Sequence, residues 1–436
     1  MSDVWDDLQW RGLVAHSTDE AALREALQTG PLTYYVGFDP TAASLHVGHL
    51  VQVLTARRLQ LAGHRPLVLV GGATGLVGDP RPSAERAMND PATVAGWVGR
   101  LQAQIAPFLD FTGAAAATMV NNLDWTAPMS AIELLRDVGK HFSVNRMLDR
   151  EAVAKRLAST GISFTEFAYV LLQSNDYLQL QRRHGCALQL GGSDQWGNIT
   201  AGCELVRRVD GVTVHALATP LLTKADGTKF GKTESGAVWL DAELTSPYAF
   251  YQFWLNAEDS QVEGYLKAFS FRGREEISEL GRQAREAPKA RAAQRALAHE
   301  VTALVHGDQV ARAVQEASAA LFGASAGSGY AALAGIDEAT LAGALAELPT
   351  ASADSLDVPV AQLLAETGLA PSRSAARRTI AEGGAYVNNV KVSDPEASLA
   401  DVVSDPQAPA PLLHGRHAVL RRGRKSLAAV ALPLQQ

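Results

Sequence analysis

Residues 35–50 read YVGFDPTAASLHVGHL, and this stretch decides the fold. The apolar run from Leu32 to Phe38 has the length and the β-branched and aromatic content of a buried strand. It stops at Asp39-Pro40. The chain then enters GHLVQVLTARRLQLA at 48–62, where apolar residues recur at helical spacing. A buried strand passing through a glycine-bearing turn into a helix is the opening unit of a doubly wound α/β sheet.

Working outward, the same alternation repeats. Strand-like runs at Pro66 to Gly71, Ala117 to Val120, Ala187 to Leu190 and Val212 to Ala216 are separated by helix-like stretches. Residues 1–235 are therefore expected to form a Rossmann-like catalytic domain on a parallel sheet. Ligands in such sheets bind beyond the carboxyl ends of the strands. Gly37-Phe38-Asp39-Pro40-Thr41, Gly71-Gly72-Ala73 and Gly191-Gly192-Ser193-Asp194 all belong to that edge.

After Leu240 the character changes. Pro247 to Phe322 is rich in Ala, Glu, Gln and Arg, and a helical domain is expected over 236–325. The next segment is rich in Ala, Ser and Gly and includes GASAGSG. It reads as a flexible connector over 326–357, with one short helix near Glu338 to Leu348. A compact module is expected over 358–436. In it, Val358 to Glu366 and Ser372 to Glu382 form helices, and AYVNNVKV (385–392) is a hairpin turning at Asn-Asn.

Composition limits the function classes. A chain of 436 residues with 47% hydrophobic and 19% charged residues is globular and longer than one average domain. The formal charge of −7 argues against a generally basic nucleic-acid binder, yet 371–436 carries nine Lys and Arg against five Asp and Glu. The basic surface is thus confined to the C-terminus. The N-terminal MSDVWDD lacks the features of a signal peptide and no run spans a bilayer, so a cytoplasmic protein without a membrane partner is expected. Cys186 and Cys203 lack metal-ligand spacing and read as buried reduced thiols; no metal site is expected.

Two cassettes carry chemistry. His46-Val47-Gly48-His49 puts two imidazoles around a glycine at a helix start, where an anion is favoured. Thr223 to Thr233 (TKADGTKFGKT) combines three lysines with two glycines and three threonines, a loop suited to closing over an anion. Together they describe a clamp for charge building on a departing pyrophosphate.

At these residues the sequence resembles the class I aminoacyl-tRNA synthetases, specifically the bacterial tyrosyl-tRNA synthetases. HVGH is similar to that class's HIGH signature and KFGKT to its KMSKS signature. The similarity runs through residues 35–50, SFTEFAYVLLQSNDYLQL (163–180), GGSDQWGNIT (191–200) and TKADGTKFGKTESG (223–236). SRSAARRTIAEGGAYVNNVKV (372–392) resembles the S4 RNA-binding module of these enzymes. A tryptophanyl-tRNA synthetase is the nearest alternative; Tyr35, Asp176 and the S4-like tail oppose it.

The resemblance implies site residues. Tyr35 and Asp176 would bond the substrate phenol from two sides. Tyr169, Gln173 and Asp79 would hold its ammonium group, and Gln195 its carboxylate end. Gly37, Gly48, His49, Gly192 and Asp194 would contact the nucleotide. Asp39 has two readings, substrate ligand or organiser of the Pro40 turn. Segment 78–86 resembles the family's GDP-x-x-(K)-x-x-ER stretch without its lysine, leaving Arg81 or Arg86 for the phosphate contact.

The implied reaction has two steps. The tyrosine carboxylate attacks the α-phosphorus of ATP, with Thr41, His46, His49, Lys229, Lys232 and Thr233 stabilising the leaving pyrophosphate and Mg²⁺ on the phosphates. The terminal ribose of tRNA(Tyr) then takes the tyrosyl group. Arg373, Arg377, Arg378, Arg421, Arg422, Arg424 and Lys425 are the expected tRNA contacts, and 236–325 would be the anticodon-binding-type domain. The family is homodimeric, and the region from about Trp125 to Leu148 is the expected interface.

Overall fold

The computed structural model describes residues 3–80, 89–223, 230–233, 236–322, 329–407, 409–423 and 426–433, the side chains of 151–152 and 232–233 excepted. The chain divides into two compact units. One comprises Met1–Asp241 with Glu258–Ala293, the other Ala242–Ala257 with Gln294–Gln436.

The first unit is built on a six-stranded sheet of β1 (His16–Ser17), β2 (Thr33–Phe38), β3 (Arg65–Val70), β4 (Thr118–Asn121), β5 (Leu188–Gly192) and β6 (His215–Thr219), in the order β1-β6-β5-β2-β3-β4. Only β1 is antiparallel to its neighbour. The order reverses at β2, which lies between β3 and β5; the switch-point crevice therefore opens beyond its carboxyl end. Alternate residues of β2 serve opposite faces. The Tyr34 hydroxyl donates to the Ala56 carbonyl in the Val47–Leu61 helix, while the Tyr35 ring packs edge-on against Tyr177 of the Phe164–His184 helix at 5.2 Å.

The long helix Phe164–His184 is delimited by its own sequence. The Ser163 hydroxyl accepts from the Glu166 N–H at its start, and Gly185 at φ 64° ends it after Arg182, Arg183 and His184, cations that suit a helix C-terminus. Cys186 and Cys203 are free thiols, the first buried and the second half-buried.

The helical stretch expected as a separate domain over 236–325 is instead split between the two units. Helices Val262–Phe269 and Arg274–Glu286 belong to the first, and Pro247–Leu255, Asp308–Phe322 and, from Gln294 onward, Ala292–His306 to the second. The cause is polar as well as apolar. Arg11 donates to the carbonyls of Lys267, Ser270 and Arg272, and Arg58 to that of Ser270, fastening Val262–Phe269 to the sheet-bearing unit.

After the short pair β7 (Lys232–Thr233) and β8 (Gly236–Ala237), the remaining strands form a second sheet. It contains β9 (Thr350–Ser352), β10 (Ala385–Val387), β11 (Val390–Lys391), β12 (His417–Arg422) and β13 (Ser426–Ala431), ordered β11-β10-β12-β13-β9. Asn388 and Asn389 have φ of 47° and 66°, the left-handed pair that a two-residue hairpin of this type requires. The connector expected over 326–357 is not a loose linker between Ala331 and Ser352. It folds as helices Ala331–Ala334 and Glu338–Ala346 and then as β9, parallel to β13. Its alanine-rich composition concealed Leu333, Leu341 and Leu345, all buried.

Candidate active site

His46 caps the Val47–Leu61 helix in extended conformation. Its Nδ1 accepts from the Gly48 N–H at 3.0 Å, and the Nδ1 of His49 accepts from the His46 N–H at 3.2 Å. The two imidazoles stack with centroids 3.9 Å apart. Desolvation, with a lesser push from His46, holds the His49 pKa down at about 3, so this ring is neutral at physiological pH. With Nδ1 accepting, the ring proton of each sits on Nε2, which makes both rings N–H donors at a helix N-terminus. Gly48 is required here: a Cβ would lie 2.7 Å from His46 Cε1.

The second cassette meets the first through backbone. Val47 N–H donates to the Val238 carbonyl, Leu240 N–H to Leu45, and Val238 N–H to Gly231, at 2.9–3.0 Å. Gly231 has φ +80°, and a Cβ there would come within 2.5 Å of Val47 Cγ2. The cassettes, far apart in sequence, are thus in direct contact. Arg81, Arg86, Lys224 and Lys229 lie outside the described residues, as do the side chains of Lys232 and Thr233.

A buried polar chain runs along the other wall. The Tyr169 hydroxyl donates to Asp39 Oδ2 at 2.7 Å, and the Thr74 hydroxyl donates to Asp39 Oδ1 at 2.6 Å. Asn122 Nδ2 donates to Thr74 Oγ1 at 2.9 Å and to Asp176 Oδ2 at 3.0 Å, and the Trp125 indole N–H donates to Asp176 Oδ1 at 2.8 Å. Asp39 therefore orients Tyr169 and Thr74, a role that neither sequence reading anticipated. Gly71 lets this chain pass: a Cβ there would stand 2.1 Å from Thr74 Oγ1 and 2.3 Å from Asp39 Oδ1.

Asp176 is 2% exposed, and burial pushes its pKa up to about 7, opposed by the Asn122 and Trp125 hydrogen bonds. The Tyr35 hydroxyl is pushed well above its ordinary range by burial first and by Asp176 next. Tyr35 Oη and Gln173 Oε1 are buried and have no hydrogen-bond partner among the described residues. A buried polar atom without a partner costs about 1–3 kcal/mol. Unpartnered atoms of this kind are candidates to be met by polar groups of a substrate.

Asp79 accepts from Gln195 Nε2 at 2.9 Å and from Asn198 Nδ2 at 3.1 Å. Gly37 is exposed at the end of β2, and a Cβ there would make only an ordinary 3.7 Å contact, so the space above it is open to a ligand. Asp194 and Thr41 are exposed at the same edge, while a Cβ on Gly192 would meet Asp194 Oδ1 at 2.6 Å. Sequence reading missed Thr74, Asn122, Trp125 and Asn198. The only signal for Asn122 was its place just beyond a strand's carboxyl end.

The raised carboxyl of Asp176 has a measurable consequence. Its folded pKa of about 7 exceeds the unfolded value of about 3.9, so the folded state holds the proton between these limits. Asp176 therefore subtracts stability as pH rises from about 4 to about 7. Thermal unfolding of the ligand-free protein from pH 5 to 8 should show a decline that is flattened in Asp176→Asn.

The basic tail separates by burial. Arg373, Arg377, Arg378 and Arg422 are exposed, with Arg377 paired to Glu396 at 2.8 Å. Arg421, expected at the tRNA surface, is 4% exposed and is turned inward. Its Nη2 donates to the Leu321 carbonyl and to Asn389 Oδ1, securing the hairpin turn. Arg424 and Lys425 lie outside the described residues. Trp125, expected at a subunit interface, is likewise buried, beside Asp176.

A largely parallel sheet whose switch point carries an HxGH helix cap, linked through Val238 to a KFGKT segment, defines a class I aminoacyl-tRNA synthetase. Residues 27–323 match the family model of class I tRNA synthetases for tryptophan and tyrosine, and 340–430 match that of the tyrosine–tRNA ligase SYY-like C-terminal domain. The chain is 80% identical over its whole length to a tyrosine–tRNA ligase of Kineococcus radiotolerans, covering 100% of each. It is 64% identical to one of Streptomyces griseus, covering 99% of each. Among solved structures, a C-terminally truncated mitochondrial tyrosyl-tRNA synthetase of Aspergillus nidulans is 31% identical, with TM-score 0.67 over 74% of this chain and 95% of that one. The chain belongs to the tyrosine–tRNA ligase family. Its reaction is ATP-dependent activation of tyrosine followed by charging of tRNA.

Proposed function

We propose that the substrate ring enters the slot between Tyr35 and Asp176, its phenol oxygen accepting from the Tyr35 hydroxyl and its O–H donating to the Asp176 carboxylate. The carrying observation is the pair of buried, unpartnered atoms Tyr35 Oη and Gln173 Oε1. The phenol supplies the first and the substrate ammonium the second. Tyr169, held by Asp39, and Asp79, held by Gln195 and Asn198, complete the ammonium site. Gln195 lies toward the carboxylate end. Phenylalanine in this slot leaves the Tyr35–Asp176 pair unsatisfied.

ATP then lies across the switch point, its ribose hydroxyls on Asp194 and the nucleotide close over the peptide backbone at Gly37, Gly48 and Gly192. The substrate carboxylate is ionised at neutral pH and attacks the α-phosphorus without a general base. Negative charge gathers on the departing pyrophosphate, where the Nε2–H groups of His46 and His49, Thr41, Thr233, Lys229 and Lys232 stabilise it. Mg²⁺ enters with the nucleotide as part of the substrate. Tyrosine-dependent ATP–pyrophosphate exchange tests the assignment. It should proceed with tyrosine and fail with phenylalanine and tryptophan, and a wild-type exchange rate in Lys232→Ala would refute the lysine's role.

The tRNA(Tyr) contacts are proposed to be Arg373, Arg377, Arg378 and Arg422, with Arg424 and Lys425, in the cytoplasm where charging occurs. Replacing Arg378 by Ala should lower the slope of log affinity against log salt by about one and leave exchange unchanged. We also propose a homodimer. Ile132, Leu135, Val144, Leu157 and Phe164 are 49–72% exposed apolar side chains within one stretch of the first unit. Phe164→Glu with Ile132→Glu should shift the sedimentation coefficient to that of a monomer. An unchanged value would place the interface elsewhere.

A further inference from the structure

Phe230 stands between the two lysines of KFGKT, yet it is 8% exposed. Its ring lies 4.7 Å from that of Tyr265 and 5.6 Å from that of Phe269. These two residues are four apart on helix Val262–Phe269 and so share one face. On the other side of the cassette, Gly231 rests on Val47 of HVGH with no room for a Cβ.

The helix that carries this face is itself fixed. Guanidinium groups suit the carbonyls at a helix C-terminus. Two supply them here: Arg11 on Lys267, Ser270 and Arg272, and Arg58 on Ser270 at 2.7 Å, with Arg58 also 4.7 Å above the Phe271 ring. Both arginines are buried. Arg58 lies on the helix that His46 caps, so one rigid helix presents the imidazoles at its start and holds the seat of Phe230 further along.

We propose that Tyr265 and Phe269 form a socket for Phe230 that sets the spacing between the KFGKT lysines and the HVGH imidazoles, which makes them positioning residues for tyrosine activation. The proposal rests on the activation reading given above. The socket acts only where charge on pyrophosphate must be met from both sides. Transfer of tyrosine to tRNA, after pyrophosphate has left, does not call on it.

Steady-state exchange and single-turnover transfer from preformed tyrosyl-adenylate, measured on the full chain, separate the two steps. Tyr265→Leu and Phe269→Leu keep apolar bulk but lose the rings. Each should lower exchange kcat about 10- to 100-fold, with tyrosine KM within about 2-fold and transfer within about 3-fold. Tyr265→Phe should restore kcat. Equal loss in both steps, a parallel rise in tyrosine KM, or wild-type kcat in the double Leu variant would overturn the socket. Should a Leu variant fail to fold, Phe230→Ala should show the same split between exchange and transfer, and equal loss in both steps there would overturn the socket too. Wild-type exchange with tyrosine runs alongside: its absence sinks the activation reading, whereas a missing split in the variants sinks the socket alone.

Discussion

Asp176→Asn should lower kcat/KM for tyrosine-dependent exchange by about 10²- to 10³-fold, an effect built from two losses. The carboxylate accepts the Trp125 indole N–H on one oxygen and the Asn122 amide on the other. An asparagine has one acceptor oxygen, so one of these buried donors is left without a partner, at about 1–3 kcal/mol. The substrate phenol also exchanges a charged acceptor for a neutral one, and charge-assisted bonds are roughly twice as strong. Discrimination against phenylalanine should fall in parallel, because phenylalanine never used the lost bond. Ligand-free stability should move the other way above pH 7, since the variant no longer carries a buried charge. Exchange kinetics and thermal unfolding at pH 8 check both. Joint loss of activity and stability would mean that Asp176 holds the fold and leaves the substrate to others.

The second large effect concerns the C-terminal module. A chain ending at Leu348 should lose tRNA charging by at least about 10³-fold while retaining tyrosine-dependent exchange within about 3-fold. The exposed arginines proposed as tRNA contacts all lie beyond this point, and neutralising several phosphates accounts for losses of that size. The cut is placed here because β9 begins at Thr350 and pairs with β13, so ending the chain inside the sheet would leave an unpaired strand. It retains Leu333, Leu341 and Leu345, which are buried with helices of the second unit. Charging that persisted in the truncated chain would assign tRNA recognition to other surfaces.

The first sheet was legible because its strands are continuous apolar runs and its turns carry glycine where the crevice lies. The helix start at His46 was legible for a related reason: capping depends on local sequence. What escaped depends on distant partners. Trp125 and Asn122 reach Asp176 across some 50 residues, and neither indole nor amide announces its partner in sequence. Arginine was misread for the same cause. Arg421 has the composition of a nucleic-acid contact, yet its partners are a helix-end carbonyl and a turn asparagine. Arg11 and Arg58 are struts inside the first unit, and charge alone does not reveal that their partners are carbonyls more than 200 residues away. The connector failed differently, since alanine and glycine mask a few well-spaced leucines.

The backbone bonds that join Leu45 and Val47 to residues 238–240, with Phe230 seated on helix Val262–Phe269, also order events during synthesis. The residues proposed for the amino-acid slot have all been made once the chain has passed β6. The phosphate clamp must wait for the helix that seats Phe230. At about 5–20 residues per second, roughly 10–45 s separate emergence of the first cassette from completion of its partner's seat. On the activation reading proposed above, the clamp is complete only when both halves have been made, and a chain ending before helix Val262–Phe269 should show no ATP–pyrophosphate exchange.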